Sequence, residues 1–489
     1  MNSLLIYPAF PDTFWSFKHA LHFIRKKAAY PPLGLLTVAS LLPESWPKRL
    51  VDLNVEKLAQ KDLEWADIAF VSAMIIQRES SNQIISTCKK AGLRVVAGGP
   101  LFNYDESWNK TVDHVVLNEA EITLPLLLTD LENHTAKRVY TTTEYANVSK
   151  TPAPLWELID FDVYASMNIQ FSRGCPFSCD FCNVTQLFGH RLRFKSSAQI
   201  IAELDELYHL GWRGQVFFVD DNFIGNKRYL IAELLPALVE WQKNKSAFRF
   251  GTEASLNLSD DEILMKLMVK AGFEEVFIGI ETPSEDGLIE CNKPQNVKRD
   301  LLESVKRIQR AGLQVQGGFI VGFDTDGPSI FTRQIEFIQQ SGIVTAMVGL
   351  LQAPKGTKLY NRLKKQGRIR GYVSGDNSDG TTNIVPKMGM KALLDGYRNI
   401  QEHIYLPHPY YQRIKTFLLE YNAPKIFVKI DIQRILALFR CCIKIGIYGE
   451  ERLQFWRLLF WTLFKYPRFF PLIITFAIYG YHFRRVCRL

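Results

Sequence analysis

Three cysteines at C-x3-C-x2-C spacing constrain this chain most. Cys175, Cys179 and Cys182 lie in Phe171-Ser172-Arg173-Gly174-Cys175-Pro176-Phe177-Ser178-Cys179-Asp180-Phe181-Cys182-Asn183. Gly174 and Pro176 bend the backbone, so the thiolates converge from a loop rather than line a helix face. Three thiolates suit a soft metal centre. A structural zinc site wants four protein ligands, and no fourth Cys or His follows at zinc-motif spacing. A four-iron cluster held by three cysteines leaves one iron open for a small molecule. Any fold for this chain must therefore present that loop from a rigid element.

The flanking sequence supplies such elements. Residues 1–130 alternate short apolar runs with helical patterns. Leu4–Tyr7, Arg49–Leu53, Ile68–Ser72, Arg94–Ala97 and His114–Leu117 read as buried parallel strands. Helices are expected at Leu35–Leu42, Ser80–Ala91 and from Glu119 onward. Five strands with intervening helices predict a doubly wound, flavodoxin-like sheet, whose ligands bind at the carboxyl ends of the strands. Those ends carry Pro8, the loop Met74-Ile75-Ile76-Gln77-Arg78 and the turn Gly98-Gly99. Thr151-Pro152-Ala153-Pro154 marks a linker.

From Asn168 the strand–helix rhythm resumes for about six units, which predicts a partial parallel barrel. Its expected strands end in Asp220-Asp221-Asn222, Glu253, Glu281 and Asp324. In parallel βα barrels the loops that carry chemistry converge at that end. The expected domains are therefore residues 1–135, a linker at 136–165, a barrel at 166–370 and a mainly helical extension at 371–489.

Charge separates the extension from the rest. Residues 405–489 hold 14 Lys+Arg and 4 Asp+Glu, a balance of +10 in a chain of net +9, so residues 1–404 stand at −1. This argues against a general nucleic-acid surface and for a local basic patch. Within the tail, Phe469–Tyr481 is an apolar run too short for the roughly 20 residues of a membrane span. It reads either as a buried helix or as an interfacial one in peripheral membrane contact. The start of the sequence lacks the basic, apolar pattern of a signal peptide. Eight cysteines in 489 residues are too few for a disulfide scaffold. Both point to a cytoplasmic protein, with the inner membrane face as the site of any peripheral contact.

The cysteine spacing, with Phe181 before the third cysteine, resembles the radical S-adenosylmethionine (SAM) superfamily. The preceding domain resembles a cobalamin-binding domain, through Pro31-Pro32-Leu33-Gly34, Gly98-Gly99-Pro100 and Asn118-Glu119-Ala120-Glu121. Together with Val219-Asp220-Asp221-Asn222-Phe223-Ile224-Gly225-Asn226 and Gly279-Ile280-Glu281-Thr282-Pro283, the whole resembles the cobalamin-dependent (class B) radical SAM methyltransferases, hopanoid C2-methylases among them. The resemblance implies a 4Fe–4S cluster on Cys175, Cys179 and Cys182. It implies SAM against Phe181, Asp220, Asp221, Asn222, Glu253, Glu281, Gly318, Ile320 and Gly322. Cobalamin would lie near Pro8, Met74, Ile76, Gln77, Gly98, Gly99 and Glu119. The Asp-x-His-x-x-Gly motif that ligates cobalt from below in mutases is absent, so no histidine of that motif serves here.

The implied reaction uses one SAM to methylate cobalamin. A second SAM generates a deoxyadenosyl radical that takes hydrogen from an unactivated carbon of a lipid-like substrate, and a flavodoxin or ferredoxin supplies electrons. Both cofactors must reach one substrate atom. The competing expectations are a cobalamin-dependent cyclase without methyl transfer, and a non-catalytic cobalamin or cluster sensor. The strand-end carboxylates argue against the sensor.

Overall fold

The computed structural model of the chain describes residues 1–103, 106–245, 248–423 and 432–488. They form two compact bodies. One comprises Met1–Pro11, Lys27–Cys175 and Val184–Gly214; the other Asp12–Lys26, Pro176–Asn183 and Gln215–Leu489.

The first body is built on a parallel sheet of six strands: β1 (Ser3–Tyr7), β2 (Lys48–Asp52), β3 (Ile68–Ser72), β4 (Arg94–Gly98), β5 (His114–Val116) and β6 (Val139–Tyr140). Their order is β2-β1-β3-β4-β5-β6. The apolar runs form strands because both sheet faces are covered. Leu4, Ile6, Ala69, Val71, Val95, Ala97 and Val115 share one core cluster with Ile84, Ile85 and Cys88. The covering helices include α1 (Leu33–Leu41), α2 (Arg78–Lys90) and α3 (Ala120–Glu132). The five expected strands are present. The sixth, β6, arises from the stretch read as linker and is too short to carry a periodic signal. The order reverses between β1 and β3, the switch point where ligands of doubly wound sheets bind. Pro8 follows β1 and Met74–Gln77 follows β3, so both flank that point.

After β7 (Ser166–Ile169), β8 (Ser172–Arg173) pairs antiparallel with β9 (Arg193–Phe194), Arg173 opposite Arg193. The next helix, α4 (Ser197–His209), starts on a reciprocal cap between Ser196 and Gln199.

In the second body β10 (Gln215–Phe218), β11 (Arg249–Ala254), β12 (Phe273–Glu281), β13 (Gln314–Val321) and β14 (Ala346–Leu350) pair in parallel, each with the next in the chain. Helices α5 (Glu262–Lys270), α6 (Leu301–Ala311) and α7 (Ile330–Ser341) connect them. Chain-order parallel pairing with a helix in each crossover is the barrel-like pattern expected.

The extension is helical: α8 (Met390–Tyr405), α9 (Pro407–Glu420), α10 (Ile432–Cys441), α11 (Arg452–Lys465) and α12 (Phe470–Val486). The apolar run at Phe469–Tyr481 lies mostly in α12, and Ile473, Phe476 and Ala477 are fully buried there. The buried alternative therefore holds for that segment. Among the described residues no helix is long and apolar enough to cross a membrane.

Candidate active site

The cysteine loop begins from a locked hairpin. Gly174 has φ +94°, and a Cβ there would stand 3.0 Å from the carbonyl oxygens of Gly189 and Arg191. Only glycine fits that turn at low cost. Arg173, two residues before Cys175, is clamped by two carboxylates. Its Nη1 donates to Glu119 Oε1 at 2.8 Å and its Nη2 to Glu121 Oε1 at 2.7 Å. Arg193, opposite it, donates to Glu119 Oε2 at 2.8 Å and to the Ala146 carbonyl at 2.7 Å. Burial alone would push the Glu121 carboxyl up, but Arg173 outweighs it and holds the group below the usual range. Glu119 thus serves the cysteine hairpin. Both of its oxygens are engaged by these partners and by the Ala146 N–H.

At the sheet's switch point, Gln77 is buried and ties the loop to the strand ends. Its Oε1 accepts from Met74 N–H at 2.8 Å, and its Nε2 donates to the Pro8 carbonyl. Met74 is left half exposed and Ile76 half buried. Gly99 has φ +92° and packs against Ser72 and Ala73, where a Cβ would lie 2.8 Å from Ser72 Oγ. A cavity of about 60 Å³ is lined there by Val71, Ser72, Gly98, Gly99, Val116 and Asn118, with Leu35 and Val38 of α1. The lining is apolar, with one hydroxyl and one amide and no histidine.

In the second body, Cys179 and Cys182 share a turn in which Cys182 N–H donates to the Cys179 carbonyl at 3.1 Å. The loop is pinned to the barrel strands' connections. Asp180 N–H donates to the Cys291 carbonyl, Leu359 N–H to the Asp180 carbonyl and Asn292 Nδ2 to the Ser178 carbonyl. Phe181 and Ile320 pack against the same apolar cluster, which contains Cys291, Phe323, Leu351 and Leu359. Cys175, Cys179 and Cys182 are not in disulfides. Among the described residues no three His, Cys, Asp or Glu side chains are grouped for a single metal ion. A cluster makes a different demand, because each cysteine binds a different iron and the sulfurs stand farther apart.

Carboxylates gather at the ends of β10 and β11. Asp220 is fully buried, Asn222 nearly so, and Asp221 and Glu253 are half buried. Asn222 Oδ1 accepts from Ser255 N–H at 3.1 Å, which orients the turn after β10. Burial, and then the charges of Asp221 and Asp220, push the Glu253 carboxyl up to about 8.

Glu281 ends β12 with φ +67°, where the pairing with β13 shifts register. Its carboxylate is ion-paired with buried Lys293. Burial works against the Lys293 charge, but Glu281 and then Cys179 outweigh it and raise its pKa. Burial raises the Cys179 thiol while Lys293 lowers it, and the Gln295 side chain hydrogen-bonds it. A buried cation thus stands beside a cysteine of the loop. Gly279 makes room for the pair, since a Cβ there would lie 2.8 Å from Lys293 Nζ.

In β13, Gly318 lies under Phe277, and a Cβ would meet that ring at 2.7 Å. Gly322, at φ +108°, follows the strand, and its N–H donates to Asp326 Oδ2 at 2.8 Å. Asp324 is committed to Arg368 (2.6 Å) and Arg362 (3.3 Å). Glu281 and Asp324 are each paired with cations, and Glu253 feels the charges of Asp221 and Asp220.

Fold and site define a radical SAM enzyme, and comparison with known proteins agrees. Residues 169–338 match the radical SAM superfamily, and residues 357–489 match a domain of unknown function, DUF4070. The chain is 40% identical over 490 residues to an uncharacterised methyltransferase of Synechocystis, covering 99% of this chain and 91% of that one. It is 34% identical over 469 residues to the hopanoid C-2 methylase of Rhodopseudomonas palustris, covering 93% and 88%. The solved structure of OxsB, a cobalamin-dependent SAM radical enzyme, superposes with a TM-score of 0.63 at 14% identity, over 100% of this chain and 79% of that chain. That likeness is one of fold. The chain belongs to the methyltransferase family of these two relatives, the hopanoid C-2 methylase among them, and carries a radical SAM region.

Proposed function

We propose that this protein C-methylates an unactivated carbon of a hydrophobic, hopanoid-like lipid. The observation that carries this is the group Asp220, Asp221 and Glu253 at the barrel strand ends, where burial and the neighbouring carboxylates push Glu253 up. It stands in a chain 34% identical to a hopanoid C-2 methylase along nearly its whole length. Bound together, a 4Fe–4S cluster, SAM and cobalamin supply hydrogen abstraction and methyl delivery. Cys175, Cys179 and Cys182 hold the cluster. Asp220, Asp221 and Asn222 accept from the SAM ammonium, and a carboxylate at Glu253 matches a ribose diol. Ile320 and Phe181 supply apolar surface beside the adenine, and Gly318 and Gly322 leave it room. The loop after β3 and the Gly98-Gly99 turn would hold the corrin. A flavodoxin or ferredoxin delivers the electrons.

The test is anaerobic reconstitution with iron, sulfide, cobalamin and SAM, a low-potential reductant, and extracted hopanoid-containing lipids, followed by mass analysis. The expected result is a hopanoid that has gained one methyl, and its absence in Cys179→Ala. Methylation of no lipid by a fully loaded enzyme would refute the substrate assignment.

A further inference from the structure

The exposed apolar surface of this chain is concentrated in one short stretch. Of 21 large hydrophobic side chains that are exposed among the described residues, ten lie between Ile432 and Phe464. On α10, Ile432, Ile435, Leu436 and Phe439 follow i, i+3, i+4, i+7 and so share one face, while Ala437 and Cys441 are buried. On α11, Leu453, Phe460, Leu463 and Phe464 face water, while Phe455, Leu458, Leu459 and Thr462 are buried. The link between the helices, a helical stretch Cys442–Ile447 followed by a turn, presents Ile447 and Tyr448, the latter 79% exposed. A surface rarely exposes so many large apolar side chains within one short stretch without an occupant.

The charge on this stretch is one-sided. From residue 432 to the end there are ten Lys and Arg against Glu450 and Glu451 alone. Glu451 is buried and ion-paired with Arg484. Lys444, Arg452, Arg457, Lys465 and Arg468 are exposed, and Arg457 falls by helix geometry on the same side of α11 as Leu453, Phe460 and Phe464. Ten and 14 residues are too few for either helix to span a bilayer. Apolar faces rimmed by cations suit a helix pair lying in the interface of an anionic membrane. A second copy of this chain is disfavoured, because a two-fold interface would bring like basic patches together.

We infer that the exposed faces of α10, α11 and the link between them dock this protein on an anionic lipid bilayer. The membrane-contacting part of the tail is then Ile432–Phe464, and not the buried run at Phe469–Tyr481. This deepens the lipid-substrate reading, and its test needs no turnover.

The full-length protein is mixed with phosphatidylcholine vesicles with or without phosphatidylglycerol, and bound protein is measured by flotation. Binding to the anionic vesicles is expected, weaker by at least about tenfold on pure phosphatidylcholine and in high salt. Phe439→Ser with Phe464→Ser, and separately Arg457→Glu with Lys465→Glu, are each expected to weaken it by at least about tenfold. All four side chains point to water, so circular dichroism and the melting transition should not change. Failure of the wild type to bind anionic vesicles, or binding unaffected by both variant pairs, would overturn the inference. So would a dimer that the Phe439/Phe464 variant dissociates, which would assign the face to a second copy. If vesicle binding behaves as stated while no lipid is methylated, the substrate assignment fails and the docking surface stands.

Discussion

Glu253 is the side chain whose protonation reports most directly on the site. Its carboxyl stands at about 8 in the folded chain against 4.5 for an ordinary glutamate, because of burial and then of Asp221 and Asp220. Between those values the folded state holds a proton that the unfolded chain has released. Its effect on stability is therefore unfavourable as pH rises from 4.5 to about 8, and constant beyond. Glu253→Gln is expected to flatten that slope when thermal unfolding of the apoprotein is followed across the same range. A cation bound among these carboxylates favours the ionised form, so SAM binding near neutral pH should release a proton. Calorimetry in buffers of different ionisation heat should show this release in the wild type and not in the variant. The carboxylates and cysteines were legible in the sequence because their spacing and strand-end positions carry a signal. Lys293 was not. It is a single charge with no motif around it, and its role comes from the fold that sets it against Glu281.

At the scale of elements, the hairpin β8–β9 decides how the cysteine loop leaves the first body. Arg173 joins it to the start of α3 through Glu119 and Glu121, which lie 54 and 52 residues earlier in the chain. No local pattern predicts such a pairing. The pair is well buried, so removing one partner leaves carboxylates without their charge-assisted bonds. Arg173→Gln is expected to destabilise the apoprotein by about 3 kcal/mol in urea unfolding. The reconstituted variant should hold less iron per chain and give a broadened electron paramagnetic resonance signal when reduced. A variant with wild-type stability, iron content and signal would show that the clamp does not position the loop. The strands themselves were legible to within a residue or two, since buried parallel strands are continuous apolar runs. The edge strand β6, at two residues, had no room to show one.

At the scale of the whole molecule, the tail divides into a part that is core and a part that faces outward. Phe483 stacks on Phe14 at 4.2 Å, and Tyr410 donates to the Phe476 carbonyl at 2.7 Å. His482 hydrogen-bonds the Phe14 carbonyl at 3.0 Å. Truncation after Glu450 removes α11 and α12 together and uncovers these partners within the second body. It is expected to yield aggregated protein without the broad cluster absorption after reconstitution, whereas the surface variants Phe439→Ser and Phe464→Ser keep it. A soluble truncated chain with a full cluster would contradict the placement of α12 in the core. Composition alone did not separate the two parts, because α11 and α12 are both aromatic, apolar and flanked by arginines. Partners distant in sequence decide which of them is buried.

Methyl transfer through radical chemistry at this site would fix the ratio of its products. It is tested most directly by product stoichiometry in anaerobic turnover with SAM carrying an isotopically labelled methyl group. One 5′-deoxyadenosine and one S-adenosylhomocysteine are expected for each labelled, methylated lipid. Deoxyadenosine formed with substrate conversion but without S-adenosylhomocysteine or labelled lipid would contradict it, and would point to a cyclase or rearrangement instead.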